Sequence, residues 1–587
     1  MLSISEPLAG NLPEFAIASG QTAAREPSAT TSRGPAIILA IIAAFAALGI
    51  AFALWLRTVP AGNPDPRSWF NVFYVLFARN EPVGLPVVAL FSMVAAFLLL
   101  PKRMPKPTIA PSSSSRTDHR VVPAAIAIAV FVVTAAGTHL VCHNYALTAD
   151  ENMADFQAKI FLRGKMQAEL PARWRPAAQA LKPTFVDYFP ESHSWNSAYY
   201  PVYAATRAVF QSVHLHSLLN PFFAAVSILA LYGTARNLWP ERRSNALVAI
   251  ALLASSSQFL LMAMTAYAMP AHLALNTIWL WLYSRADRRW FYLVPFVGVL
   301  AIGLHQPIVH ALFAIPFLLR LVLQWRWRAV LVFGAVYVAG CALWFVWRAR
   351  YQIASSDGIG SIFKILNPRM PIIQSMNLLL IIGWASLATP LLAVLGASQF
   401  FKVRPIIQDS ILSCLLTFGF YYFFYLDQAH GWGYRYFHGV IVCFILVAIV
   451  GFNRLSVLVR SRRARTFVLA GIAASLLIQF PLRCFQAERF VRPYARTAAV
   501  LQAMPNDIVA LDARDAWYSA DLIRNDPFLE QRPMIVSLFA LTPAAIAVLE
   551  KGGSARFITR DDLTRLGMFT TRRNDYARDP FQLGRGR

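Results

Sequence analysis

Apolar blocks of roughly 17 to 22 residues recur along most of this chain, parted by short connectors that are basic or carry proline. A helix of that length crosses the roughly 30 Å hydrocarbon core of a bilayer, where only helices and closed barrels can pair every backbone N–H and C=O. Composition leads the same way. Of 587 residues, 57% are hydrophobic and 14% charged, whereas an average soluble domain is about 45–50% apolar and about 25% charged. A water-soluble enzyme is excluded, and the expected fold class is an all-α polytopic membrane protein whose first partner is the lipid bilayer. The net charge of +25 would suggest nucleic acid if it clustered on a soluble module. It is spread over the connectors, so no nucleic-acid partner is expected. Cys142, Cys341, Cys414, Cys443 and Cys484 fall in or beside apolar blocks without Cys-x-x-Cys spacing, which indicates neither a metal site nor a disulfide framework.

The blocks predict about thirteen membrane helices, at 36–56, 84–100, 121–141, 218–238, 246–262, 271–284, 290–304, 306–323, 329–347, 376–398, 408–426, 437–453 and 466–482. The less apolar stretch 201–216 carries Arg207, His214 and His216 and reads as an interfacial helix. Lys and Arg in the short loops number 21 on one side against 8 on the other, and the excess marks the cytoplasmic side. Residues 1–35 are then a disordered cytoplasmic tail, and 36–120 hold two membrane helices with a basic linker. Residues 121–482 form the main transmembrane domain, whose long outer segment 142–217 is rich in Trp, Tyr and Pro and reads as loops and short helices at headgroup level. Residues 483–587 read as a small α/β unit on the outer face. Its strands are expected at Asp507–Leu511 and Met534–Phe539, with a helix starting at Thr542 and Pro543 and ending at Gly552 and Gly553. This arrangement suits a multi-pass protein of a cell inner membrane, N-terminus cytoplasmic and C-terminus periplasmic.

The cores of the expected spans contain essentially no Asp, Glu, Lys or Arg, so an intramembrane ion pathway is not indicated. Polar residues gather at the outer ends of helices instead. Asp150, Glu151 and Asp155 follow the third span, His272 opens the sixth, and His305 and Gln306 join the seventh to the eighth. Asp427, His430, Arg435 and His438 surround the turn between the eleventh and twelfth. All face one compartment and can build one site. An acidic pair held at a membrane boundary can meet a lipid-borne and a water-borne substrate together, and a base must lie within hydrogen-bond reach of the proton it takes. Arg435 belongs to the run His430-Gly431-Trp432-Gly433-Tyr434-Arg435-Tyr436, where the glycines permit tight turns and the guanidinium can engage two phosphate oxygens. Plainer readings stand beside these: a solvated loop for the acidic pair, headgroup snorkelling for Arg435, packing for His272 and His430, and a solvated helix face for Lys159.

The stretch from Thr148-Ala149-Asp150-Glu151 to Lys159, continuing through Phe161-Leu162-Arg163-Gly164-Lys165 to Tyr199-Tyr200-Pro201, resembles the first outer loop of a known enzyme family. That family is the polyprenyl-phosphate-dependent glycosyltransferases of the C superfamily, in the branch of the protein O-mannosyltransferases and the aminoarabinose transferase of lipid A. Ala268-Met269-Pro270-Ala271-His272 and the His430–Tyr436 run resemble later outer loops of bacterial relatives. The resemblance covers roughly residues 121–480. Two spans precede the helix that is normally first, and the stretch between Lys165 and Tyr199 is longer than the usual form. The resemblance implies transfer of a sugar from a polyprenyl phosphate to an acceptor hydroxyl at the outer face, the acceptor being a lipid, a glycan or a protein. It implies Asp150 as the base, with Glu151 orienting it or joining it around a divalent cation. Arg435, His272, His430, Lys159 and Tyr200 would serve the donor phosphate or sugar. A transporter or lipid flippase is the competing class; repeated halves and matched broken helices would mark it, and the sequence shows no such pairing.

Overall fold

The computed structural model describes residues 29–58, 72–100, 121–285, 288–353, 370–423, 428, 430–512, 519–542, 546 and 555–568. Its first part runs α1 (Ala29–Thr58), α2 (Val72–Leu99), α3 (Val121–Leu140), α4 (Ala149–Leu162), α5 (Ala178–Leu181), α6 (Pro201–Ser212) and α7 (Leu219–Leu238). The middle holds α8 (Arg243–Ala254), α9 (Ser257–Met264), α10 (Met269–Tyr283), α11 (Arg288–Phe291), α12 (Val294–Ile302), α13 (Pro307–Leu323) and α14 (Trp327–Tyr351). After it come α15 (Met370–Trp384), α16 (Thr389–Ala397), α17 (Pro405–Phe420), α18 (Ile441–Val459), α19 (Ser461–Ala474), α20 (Phe480–Gln502) and, late in the chain, α21 (Arg560–Arg565). Among the described residues seven helices are long and apolar enough to cross a membrane, nine if each of two bent pairs is one span, with three shorter apolar helices besides. Pro201, Pro270, Pro295, Pro307, Pro390 and Pro405 each stand in a helix's first turn, where the missing N–H has no intrahelical partner to lose.

The expected spans coincide with helices, but several differences have physical causes. The span expected at 246–262 is the pair α8 and α9, bent by 57°, and the one at 376–398 is α15 and α16, bent by 115°. At the first break Ser256 turns extended and its hydroxyl accepts the Phe259 N–H, which starts a new helix. Charged residues lie within the helices near or beyond the ends of the expected spans. Asp409 in α17 takes both carboxylate oxygens to the Arg320 Nε of α13 at 2.7 Å. Helix α2 begins at Val72 rather than 84 and carries Glu81, which is paired with Arg483 of α20. Burial of each charge is offset by an opposite one in hydrogen-bond contact, which a charge count along one helix cannot reveal. The last expected span, 466–482, lies in a continuous helix from Ser461 to Gln502.

The segment 142–217 contains more than loops and short helices. Strands β1 (Ala168–Glu169), β2 (Val186–Phe189) and β3 (Ser194–Ser197) form an antiparallel sheet in the order β1-β3-β2, with Tyr188 opposite Trp195. The expected strands near the C-terminus are present as β4 (Ile508–Leu511) and β5 (Met534–Ser537). With β6 (Ala555–Ile558) they make a parallel sheet in the order β5-β4-β6. The helix expected from Thr542 to Gly553 lies outside the described residues apart from Thr542 and Ile546, as do residues 1–28 of the expected tail and Asp427. The two sheets share one apolar core: Met153, Phe156 and Ile160 of α4 pack with Trp195, Leu529, Met534 and Val536. The indole N–H of Trp195 donates to the Pro527 carbonyl at 2.8 Å, and Arg163 meets Glu530 through two bonds of 2.8 and 2.5 Å. This core holds the start of α4, where the acidic pair stands, between the membrane helices and the C-terminal sheet.

Candidate active site

Helix α4 begins where Thr148 turns extended, and its hydroxyl donates to the Tyr267 hydroxyl at 3.3 Å instead of capping the helix. The cap comes from Glu151, whose carboxylate reaches back to the Leu147 and Thr148 N–H groups. Asp150, one residue earlier, points the other way. Its Oδ1 accepts the Tyr199 hydroxyl and its Oδ2 accepts Arg435 Nη1 at 3.0 Å, across 285 positions of sequence. The Asp150 side chain is 17% exposed and that of Arg435 9%, so the pair is largely enclosed. The Tyr199 ring lies against His305, 3.9 Å between centroids.

Arg435 is placed by a built turn. Gly433 takes φ +87, and its carbonyl accepts Gln428 Nε2 at 3.0 Å while Gln428 Oε1 accepts the Arg435 N–H at 2.8 Å. Gln258 of α9 does the same for Tyr434, accepting its N–H at 3.2 Å and donating to its carbonyl at 2.7 Å. The guanidinium carbon sits 5.1 Å from the Tyr267 ring centre and 5.2 Å from that of Tyr436. Its Nε is buried with no hydrogen-bond partner among the described residues. An unpaired buried donor costs about 1–3 kcal/mol, so the group is suited to an acceptor that arrives with a ligand.

The electrostatics divide the two acids. Burial pushes the Asp150 carboxyl up, but the Arg435 charge and the Tyr199 and Arg435 hydrogen bonds outweigh it and hold the group below the usual carboxylate range. Glu151 is pushed up to about 8, by burial first, against the Leu147 and Thr148 N–H bonds and the Arg524 charge. Near neutral pH Asp150 is therefore ionised and Glu151 largely protonated. Burial takes His305 down to about 4, leaving it neutral.

The other expected residues are scattered around this centre. His430 is one step away: its Nε2 meets the Tyr267 hydroxyl at 3.2 Å. Lys159 lies at the far end of α4, near Asp155, which is ion-paired with Arg207 of α6. Asp155 and Arg207 line a separate small cleft with His216 and Asn220, and neither Asp150 nor Arg435 lines it. Tyr200 turns away from its neighbour Tyr199, bonding Arg348 and facing the Trp344 ring at 6.1 Å. His272 is fully buried, and both its ring nitrogens lack partners among the described residues; it packs inside the bundle. A divalent cation held by Asp150 and Glu151 does not fit. Asp150 is engaged by Tyr199 and Arg435, Glu151 is turned back onto its own helix, and no group of three or more His, Cys, Asp or Glu among the described residues is arranged to hold a metal.

Tyr199, Tyr267, Gln258 and Gln428 join the site beyond the residues expected from sequence. Tyr199 is the neighbour of the expected Tyr200, and the extended backbone before α6 sends successive side chains to opposite sides. The two glutamines carry no sequence signal because their work is with backbone groups distant in the chain.

No protein-family model matches this sequence, and neither does any curated protein. Among solved structures it is similar to ArnT from Cupriavidus metallidurans. The crystal structure bound to undecaprenyl phosphate has 14% identity and a TM-score of 0.46, and the apo structure 12% and 0.45. Each similarity covers 76% of this chain and 90% of the other.

Proposed function

We propose that this protein is a membrane glycosyltransferase that moves a sugar from a polyprenyl phosphate to an acceptor hydroxyl at the outer face of an inner membrane. The observation that carries the reading is the Asp150–Arg435 contact of 3.0 Å. A carboxylate at the start of a helix and a guanidinium in a glycine-built turn meet at one enclosed point. Sugar transfer asks for these two groups. The acceptor oxygen forms a bond to the anomeric carbon, the bond from that carbon to the phosphate oxygen breaks, and the acceptor's proton passes to a base. The departing phosphate goes from one negative charge to two. Asp150 takes the proton and Arg435 stabilises the growing charge.

In the free protein the ion pair weakens Asp150 as a base. A donor phosphate that draws Arg435 to itself releases the carboxylate and lets its proton affinity rise, so donor binding readies the base. The acceptor class stays open between lipid, glycan and protein. By the loop charges, the N-terminus is cytoplasmic and the C-terminal unit periplasmic. A transport reading would lean on the charged pair inside the bundle. That pair is Glu81 and Arg483, 2% and 0% exposed, and its guanidinium is held by the Glu81 carboxylate, Gln486 and the Gly383 carbonyl.

The test is transfer from a lipid-linked sugar donor by purified protein. Asp150→Asn keeps size and hydrogen bonding and should slow transfer about 100- to 10,000-fold with donor binding retained. Arg435→Lys keeps the charge but loses the two-pronged contact and should weaken donor use. Parental rates in both variants would remove the proposed chemistry.

A further inference from the structure

The C-terminal unit reaches the same helix start from the other side. The Asp521 carboxylate faces the Ala149 N–H, one residue before Asp150, and lies beside Thr184. Arg524, three positions on, donates from Nη2 to the Leu147 carbonyl at 3.1 Å and from Nε to the Asp521 carbonyl at 2.7 Å. Its guanidinium lies 4.1 Å from the Tyr145 ring centre. Asn525 anchors this segment from beneath, donating to the Leu181 carbonyl at 2.8 Å and the Ile535 carbonyl at 2.7 Å.

Several donors around the start of α4 are turned toward carboxylates. A helix leaves its first N–H groups without intrahelical partners. That of Leu147 goes to Glu151, those of Thr148 and Ala149 face the Glu151 and Asp521 carboxylates, and that of Glu151 returns to the Thr148 carbonyl at 3.1 Å. A side chain more than 370 positions away thus supplies part of the cap, and Arg524 holds the preceding carbonyl across 377 positions. We infer that Asp521 and Arg524 form a clamp by which the C-terminal unit fixes the turn bearing Asp150, making Asp521 a positioning residue of the transfer reaction. The inference rests on the reading of Asp150 as the base. A base is effective only when held within a few tenths of an ångström of its proton, and a 1 Å displacement can cost about 100-fold. The clamp also gives the C-terminal unit work that a detached acceptor-binding module would not do.

The experiment compares Asp521→Ala, Asp521→Asn, Arg524→Gln and Asp150→Asn in the full-length protein. It reads kcat and KM for the lipid-linked donor, and amide hydrogen exchange of residues 147–151. Asp521→Ala should lower kcat about 10- to 100-fold with donor KM unchanged and speed exchange at those amides. Asp521→Asn, whose amide oxygen still faces the Ala149 N–H, should recover most of the rate. Arg524→Gln should slow transfer in the same sense and decides the matter if the Ala variant does not fold. Parental kcat in Asp521→Ala or, failing that, in Arg524→Gln, while Asp150→Asn is slow, overturns the clamp and leaves the base in place. Parental kcat in Asp150→Asn as well would strike at the base instead. The clamp then stands or falls on exchange, and unchanged exchange overturns it.

Discussion

Asp150 and Glu151 are neighbours in sequence with opposite work. Asp150 faces the guanidinium of Arg435, while Glu151, 1% exposed, caps its own helix. Because burial pushes Glu151 up to about 8 from an ordinary 4.5, the folded protein holds a proton there that the unfolded chain has lost between those values. Stability from this group is complete below about pH 4.5 and is lost as pH rises through about 8, at up to about 1.4 kcal/mol per pH unit inside that window. Melting of the detergent-solubilised protein should therefore fall more steeply between about pH 6 and pH 8 in the parent than in Glu151→Gln, which has no proton to lose. Parallel pH dependences would mean that Glu151 is ionised throughout and is not the neutral cap described here. Transfer by Glu151→Gln near neutral pH should stay within about tenfold of the parent, because the cap survives in the amide.

The turn from His430 to Tyr436 is the element that brings Arg435 to the carboxylate, and Gly433 is its pivot. At φ +87 an L side chain is strained, and a Cβ there would meet the Gln258 carboxamide that holds Tyr434 on both its backbone groups. Gly433→Ala should cost about 1–2 kcal/mol from the backbone alone, with more from displacing Gln258, and should weaken donor use. Gly433→Asn, a residue that enters this region more readily, should be milder. Equal melting of Gly433→Ala and the parent would show that the turn tolerates another path. This element also shows what the sequence disclosed. The membrane helices, both late strands and the acidic pair were legible because each is written locally, as an apolar block, a β-branched run or adjacent charges. The run of glycines and aromatics was legible as a turn, but its contact with Asp150 was not. Neither were the sheet between Ala168 and Ser197, the clamp from Asp521, or the pairing of Glu81. These depend on partners that only the folded chain brings close, and a polar residue in a helix looks costly until its partner is seen.

At the scale of the whole molecule, the Glu81–Arg483 pair joins α2 to the long helix that leads out to the C-terminal unit. Arg483 donates to both Glu81 oxygens at 2.9 and 2.8 Å, to Gln486 Oε1 at 2.9 Å and to the Gly383 carbonyl at 3.0 Å. Its guanidinium lies 4.2 Å from the Trp384 ring, whose N–H donates to Glu81 at 3.2 Å. The continuous helix spans 42 residues, about 63 Å at 1.5 Å per residue, twice the hydrocarbon thickness of about 30 Å. Just before α20 it contains a π-helical turn, Ser475–Gln479. One extra residue in a turn rotates everything beyond it by about 100°, and this sets which face of α20 meets α2. Gly84 stands where the guanidinium leaves no room for a Cβ, so α2 is shaped to receive this one side chain. Removing one partner leaves a charge in an apolar interior and should destabilise by about 3–5 kcal/mol, whereas removing both should cost far less than the sum. Melting of Glu81→Gln, Arg483→Met and the double variant in detergent measures the coupling directly. If the single losses simply add, the pair is not a unit, and the alignment of α2 with the helix to the C-terminal unit must come from apolar packing alone. If the double variant recovers as expected while transfer stays low, the pair's contribution is the register of that helix, and through it the position of Asp521 over Asp150.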